Sequence, residues 1–185
     1  MSTAQSVASS VARSVARSVA TSVAGSGGGV VPDPYGPELL TNPELAGYVA
    51  GSPGTPPTGW TALLSGGSLA APVLTFGVAA NRQAIFQSKA VTPGVFKADV
   101  TATLNSGSAA VYDVLYYAAP TGSTAKYFLD GVDVAASTVW TGTKTLKIEI
   151  TAINSGNIEF RLGAGVVGAR TQNVTLSNPS LKKAV

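Results

Sequence analysis

Apolar and polar side chains alternate along three segments in the second half of the chain. They are VFKADVTATL at 95–104, KTLKIEITAI at 144–153 and NIEFRL at 157–162. Side chains along a β-strand point to opposite faces in turn, so this alternation predicts strands with one buried face. In the first segment the predicted buried face carries Phe96, Ala98, Val100, Ala102 and Leu104.

Turn signals separate these segments. Asp130-Gly131 is a two-residue hairpin signal, and NSG at Asn105 and at Asn154 marks further turns. VYDVLYYA at 111–118 is more continuously apolar and is also assigned to a strand. Together, the alternating segments and the turns predict about nine or ten short antiparallel strands with no amphipathic helix among them. Because each strand has an apolar face to cover, we predict a mostly β fold of two packed sheets.

The front of the chain follows a different pattern. The unit Ser-Val-Ala-x occurs five times from Ser6 and ends in Gly27-Gly28-Gly29. As a helix, which is the favoured conformation, it presents a stripe of small apolar side chains that needs a partner to be stable. An extended chain with all valines on one side and a disordered segment are the alternatives. Each of them indicates attachment or assembly, through Val7, Val11, Val15, Val19, Val23, Arg13 and Arg17.

The segment GSGGGVVPDPYGP, residues 25–37, separates the repeat from the β-rich body. Its glycines form a flexible joint and its prolines stiffen the exit. We therefore predict an anchor or oligomerisation segment at 1–25, a linker at 26–37 and a single β domain at 38–185.

Composition narrows the chemistry. The chain has no Cys and no His, which removes disulfides, thiolate metal sites and the Ser-His-Asp triad. Only 11% of the residues are charged, which is typical of an extracellular or virion protein rather than a cytosolic enzyme. Of the twelve Lys and Arg residues, Arg13 and Arg17 lie in the repeat, so the rest nearly balances nine acids. This balance predicts no nucleic-acid partner.

No apolar stretch is long enough for a transmembrane helix, so no membrane partner is predicted. The repeat does not match a secretory signal either. It has no Lys or Arg before Ser6, and serines interrupt its apolar part.

Two near-copies of one motif open and close the body: Asn42-Pro43-x-Leu45 and Asn178-Pro179-x-Leu181. They predict that the first and last strands lie side by side and bend at matching prolines. Together with Leu39-Leu40 and Pro56-Pro57-Thr58-Gly59-Trp60, they resemble the carbohydrate-binding-module type of β jelly roll over about residues 38–182. The resemblance implies a jelly-roll sandwich with Trp60 in its core.

In that family an acidic residue after the opening motif helps to hold a structural calcium. This chain has Ala46 there, so no metal and no cofactor is predicted.

The front repeat is similar to the N-termini of tail-fibre and other virion proteins of bacteriophages and prophages. In those proteins the N-terminus commonly anchors a trimer to the particle, and a C-terminal β domain points outward. The resemblance implies a homotrimer and other virion proteins, such as capsid or tail proteins, as partners.

The sequence contains few residues in patterns that indicate catalysis. Ser123 and Lys126 fit the Ser-x-x-Lys motif of penicillin-binding enzymes, but the partner motifs do not occur. Asp130 and Asp133 flank a turn, and Asp113 and Glu149 are expected on solvent-facing strand positions. We predict no catalytic residue and no enzymatic activity.

Sugar binding would require exposed aromatic rings. Trp140, between Val139 and Thr141 near a turn, is the best candidate for an exposed ring. Tyr116 and Tyr117 are adjacent in a predicted strand, so they must face opposite sides.

The sequence thus favours a structural virion protein of a bacteriophage. Its repeat would attach or assemble it, and its jelly roll would lie on the particle surface as a head fibre, capsid decoration or tail fibre. The alternative is a carbohydrate-binding module that contacts host-surface glycans.

Overall fold

The computed structural model describes residues 33–51, 54–64, 69–70, 75–76, 83–164 and 173–185. The residues predicted for the anchor, Val7, Val11, Val15, Val19, Val23, Arg13 and Arg17, lie outside this part of the chain.

The larger sheet is antiparallel and contains eight of the described strands. Seven follow the order β10-β9-β12-β6-β14-β4-β3, and β1 pairs with β14. The strands are β1 (Tyr35–Glu38), β3 (Leu69–Ala70), β4 (Thr75–Phe76), β6 (Gly94–Leu104), β9 (Thr124–Leu129), β10 (Val132–Val134), β12 (Thr143–Ala152) and β14 (Val174–Ala184).

The smaller sheet is also antiparallel, with the order β2-β5-β13-β8. Its strands are β2 (Thr61–Leu64), β5 (Gln83–Val91), β8 (Leu115–Ala118) and β13 (Gly156–Ala164). A separate pair joins β7 (Ala109–Ala110) to β11 (Val139–Trp140), and the helical turn α1 (Val111–Val114) connects β7 to β8.

One hydrophobic core joins the two sheets. The inward side chains of β6 and β12 alternate with outward polar ones, as the sequence predicts. Phe96, Leu146 and Ile148 of the larger sheet share this core with Ile85 and Phe160 of the smaller one. The mostly β, antiparallel sandwich is therefore confirmed, because burial of alternate side chains requires a second sheet to cover them.

Three details of the predicted strands are wrong. The described part of the chain has fourteen strands rather than nine or ten, because several span only two to four residues. VYDVLYYA begins with α1 and becomes a strand only at Leu115. Asp113 consequently lies buried in that turn, where its Oδ2 accepts a hydrogen bond from the Ala110 N–H, instead of facing solvent from a strand.

The first and last strands pair as predicted, with Tyr35 opposite Ala184 and the Leu39 N–H donating to the Leu181 carbonyl at 2.8 Å. Residues 35–37, assigned to the linker from sequence, thus belong to β1. Pro179 lies at a register shift of β14, a bend of the predicted kind.

The opening copy of the motif is not inside a strand. Asn42 follows β1, and its carbonyl accepts a hydrogen bond from the Leu45 N–H in a tight turn. The prediction of a matching bend in the first strand is therefore wrong, because β1 ends at Glu38.

Connections between the sheets meet at one end of the sandwich. Gly94 pairs with Ala152 and Val91 with Gly156, so the β5–β6 and β12–β13 turns lie together. The 119–123 loop, which takes the chain from β8 to β9, lies at the same end because Thr124 pairs with Thr151. We call this the groove end.

Candidate functional site

Three tyrosines and one loop line an open cavity of about 460 Å³ at the groove end. Tyr116 and Tyr117 come from β8, at the edge of the smaller sheet, and Tyr127 comes from β9 of the larger sheet. The 119–123 loop closes one side of the cavity. We call this cavity the tyrosine groove.

Strand register determines how each ring reaches the groove. Tyr117 pairs with the buried Phe160 and Tyr127 with the buried Ile148, so both project into the space between the sheets. Tyr116 pairs with Arg161, on the outer face of the small sheet. The expectation that Tyr116 and Tyr117 face opposite sides is confirmed, and both still line the same groove.

The rings form a continuous aromatic surface. The centroids of Tyr116 and Tyr117 are 6.2 Å apart with an interplanar angle of 34°. The centroids of Tyr117 and Tyr127 are 6.5 Å apart at 51°. These are tilted contacts within the favourable range for aromatic pairs, so the rings hold one another in place.

The loop that closes the groove is held in a turn. Ser123 donates to the Pro120 carbonyl twice, from its N–H at 3.1 Å and from its Oγ at 2.6 Å. The Asn154 side chain donates to the Thr121 carbonyl at 2.9 Å, which ties the loop to the β12–β13 turn. Gly122 has φ +82°, and a Cβ there would lie 2.7 Å from Ile153 Cδ1. The loop is therefore fixed before any ligand arrives.

The groove is electrically neutral. Burial raises the pKa of Tyr127 to about 12, with smaller contributions from Tyr117 and Tyr116. Burial, and then Tyr116, raises the pKa of Tyr117 above its usual range. Both phenols are thus protonated at physiological pH, when each hydroxyl can donate and accept hydrogen bonds.

Arg161 and Glu159 form a charged pair beside Tyr116. Arg161 lies 5.6 Å from the Tyr116 ring centroid, and its Nε donates to Glu159 Oε1. Because Glu159 compensates it, Arg161 adds a cation–π contact to Tyr116 without giving the groove a net charge.

Trp140 is not an exposed ring, so that prediction is wrong. It is only 4% exposed and belongs to the hydrophobic core. β11 pairs with β7, which places Trp140 opposite Ala109 with its ring inward and leaves Val139 as the exposed neighbour. Its Nε1 has no hydrogen-bond acceptor among the described residues. Trp60 is in the core as predicted, and its Nε1 donates to the Asn42 carbonyl at 3.1 Å.

Tyr127 is the ring that sequence reasoning missed. The signal was present in TAKYFL, where Ala125, Tyr127 and Leu129 share the inward face of β9. That face normally indicates core. Tyr127 lines a groove only because β9 lies near the side of the sheet, where the smaller sheet ends at β8.

The candidate catalytic residues do not form a site. Ser123 Oγ hydrogen-bonds the Pro120 carbonyl, and Lys126 is exposed on the outer face of β9. Glu149 is on a solvent-side strand position, as predicted, and pairs with Lys147 at 2.7 Å. Asp130 lies in the turn of the confirmed β9–β10 hairpin. Its carboxylate pairs with Lys144 of β12, also at 2.7 Å.

The described residues contain no group of three or more Asp and Glu side chains that could hold a metal ion. In the same part of the chain, no helix has the length and apolar character that crossing a membrane requires.

Comparison with known proteins yields little. No protein-family model matches the chain, and no curated protein matches its sequence. Among solved structures it is similar to CBM35 from Paenibacillus barcinonensis, with a TM-score of 0.30 and 13% identity. The alignment covers 71% of this chain and 98% of that one.

Proposed function

We propose that the β-sandwich is a glycan-binding domain and that the tyrosine groove is its binding site. The observation that carries this proposal is the meeting of Tyr116, Tyr117 and Tyr127 around a preformed cavity of about 460 Å³. Cavities of this size, lined by aromatic rings and a few polar groups, are typical of small-ligand sites.

A sugar fits the chemistry of the groove. Each tyrosine offers a flat apolar face for the C–H side of a pyranose ring and a hydroxyl for its polar edge. The loop adds further polar groups, since Thr121, Gly122 and Ser123 also line the groove. Because the loop and rings are already held in place, binding costs little conformational entropy.

We propose further that the Ser-Val-Ala repeat attaches this domain to a larger assembly on a bacteriophage particle. The support comes from the sequence: a regular repeat, a glycine joint and the similarity to virion N-termini. In this proposal the domain is a jelly roll displayed on the particle surface as a head fibre, capsid decoration or tail fibre. The chain forms a homotrimer through the repeat, and glycans of the host surface are its external partners.

We propose no enzymatic activity. Ser123 is engaged with a backbone carbonyl, and Lys126 is on the outer face of the larger sheet whereas the groove opens between the sheets. A hydrolase assay with the glycans that bind would test this, and turnover that depends on Asp130 or Asp133 would contradict it.

A glycan array followed by calorimetric titration tests the binding site. The full chain should bind a subset of glycans, and Tyr116→Ala should weaken that binding about tenfold or more. Phe128→Ala is the matched control, because Phe128 is a half-buried ring on the opposite face of β9, over Lys147. No glycan bound, or equal loss in both variants, would refute the site.

Light scattering after size-exclusion chromatography tests the assembly proposal. The full chain should be a trimer. A chain starting at Val30 keeps β1 and so should still fold, but it lacks the repeat and should be a monomer. Two trimers would mean that the sandwich makes its own interface. Two monomers would contradict self-assembly by the repeat.

A further inference from the structure

A second cavity, of about 280 Å³, lies at the groove end between β1, β5, β6 and β14. Among the described residues, none lines both this cavity and the tyrosine groove. Its lining is Leu39, Ala90, Val91, Thr92, Phe96 and Lys183. We call it the lysine cavity.

The walls of the lysine cavity are apolar. Phe96 is 1% exposed and Val91 is 9% exposed, and both belong to the hydrophobic core. Leu39 packs against that core, and its N–H is already bonded to the Leu181 carbonyl. These walls therefore favour the apolar part of a ligand.

Lys183 is the one charged residue among these lining residues, and its side chain is held by close contacts. Its Nζ donates to Thr92 Oγ1 at 2.7 Å and lies 5.7 Å from the Phe96 ring centroid. Its stem crosses Gly94 so closely that a Cβ there would lie 2.5 Å from Lys183 Cε. Register explains the placement, because Lys183 pairs with Phe96 in the β14–β6 ladder.

The contacts of Lys183 leave its charge available. Among the described residues, the two groups that contact the ammonium, the Thr92 hydroxyl and the Phe96 ring, are neutral. Because Thr92 Oγ1 accepts from Lys183, its own hydroxyl proton is directed elsewhere and can be donated to a ligand.

We propose that the lysine cavity binds a small apolar monocarboxylate. Its hydrocarbon part lies against Phe96, Val91 and Leu39. Its carboxylate accepts hydrogen bonds from Lys183 Nζ and Thr92 Oγ1, in a charge-assisted contact. An anion with an apolar body is the class that matches both features, since a neutral ligand leaves the ammonium uncompensated and a fully hydrated anion leaves the walls unused.

Titration of the full chain with hexanoate, followed by heteronuclear NMR, tests the proposal. Hexanol is the matched probe because it keeps the chain and lacks the charge. Hexanoate should bind and shift the amide signals of residues 90–92 and 183, and hexanol should bind about tenfold more weakly.

Three variants separate charge from folding. Lys183→Gln should weaken hexanoate about tenfold and leave hexanol unchanged, whereas Lys183→Arg should retain hexanoate binding. Lys182→Gln is the control for losing one positive charge elsewhere on β14. Lys182 lies opposite Lys97 in the strand register, on the outer face. Each variant should keep the thermal unfolding midpoint of the parent within a few degrees.

The proposal is overturned if hexanoate does not bind at about 10 mM, or if it binds no better than hexanol. Hexanoate binding that Lys183→Gln leaves unchanged would also overturn it, because the ligand would then lie elsewhere.

Discussion

The two ends of the sandwich carry different kinds of side chain. The groove end carries three tyrosines, the apolar lysine cavity and a 59% exposed Ile153. At the opposite end, which we call the threonine end, the described residues include small polar side chains that are hydrogen-bonded to one another. The bonds there are Thr75–Thr175 at 2.8 Å, Thr103–Thr143 at 2.9 Å, Asn105–Asn173 at 2.7 Å and Asn105–Thr175 at 2.9 Å.

Among the described residues, this difference favours the proposed binding site at the groove end. At the threonine end, hydroxyls and amides take one another as partners, so a ligand would have to replace bonds that already exist. At the groove end, rings and hydroxyls surround open space, so a ligand gains contacts without losing any. The same fold thus has one end suited to closure and one suited to binding.

The largest expected difference is in the cost of removing a side chain from each end. Tyr117→Ala should lower the free energy of unfolding by about 2 kcal/mol, because the ring packs on the core and on Tyr127. Thr103→Ala should cost about 0.5–1 kcal/mol, since it breaks one exposed hydroxyl pair. Urea denaturation measures both. Equal costs would mean that the ends do not differ in packing.

The next comparison uses one glycine from each end. Gly122 and Gly142 both have positive φ, +82° and +70°. Gly142→Ala should cost about 1 kcal/mol from backbone strain alone, because a Cβ there meets nothing within 4 Å. Gly122→Ala should cost about 2 kcal/mol, since its Cβ also displaces Ile153, and it should weaken glycan binding. Thermal unfolding and titration together would show whether the groove loop is as rigid as its contacts indicate.

Alkaline pH should destabilise the groove. Folded Tyr127, with its pKa raised to about 12, holds its proton more tightly than an unfolded tyrosine of pKa 10.0. Its contribution to stability is therefore complete below pH 10 and is lost as the pH rises towards 12. Urea midpoints measured over this window should fall more steeply for the parent than for Tyr127→Phe. Parallel curves would mean that the phenol is not buried.

Acid should have the smallest effect, at the threonine end. Hydrogen bonds from Lys144 and from the Thr145 N–H lower the pKa of Asp130 below its usual 3.8. This contribution is present above pH 3.8 and is lost as the pH falls through the lowered pKa. The effect is small because the carboxylate is exposed and screened by solvent. Carboxylate NMR titration should show the lowered pKa, and Lys144→Gln should raise it.

Much of the fold could be predicted because its signals are local. Alternation in β6, β12 and β13 specifies which side chains face inward, and Asp130-Gly131 specifies a hairpin, with φ values of +50° and +84°. The paired Asn-Pro motifs correctly place β1 beside β14. Even their backbone is alike, with φ of +54° at Asn42 and +53° at Asn178.

Their surroundings differ for reasons that lie far away in sequence. The Asn42 side chain bonds to Ala46 and to the Thr58 carbonyl and closes a loop. Asn178 lies exposed at the bulge of β14, where β6 on one side holds the strand in place. The same four-residue motif therefore specifies a local backbone conformation, but it does not determine whether that conformation belongs to a turn or to a bulge in a strand.

The sequence by itself determined the long alternating strands β6, β12 and β13 and their inward faces, since a period of two and the burial of apolar side chains act over a few residues. Tertiary structure alone brought the three tyrosines of the groove together. Tyr117 and Tyr127 are close in sequence, but they meet across the groove because β8 pairs with β13 and β9 with β12, in different sheets. Trp140 turned inward by pairing with β7. Such pairings depend on contacts between distant segments, and no local pattern of side chains encodes them.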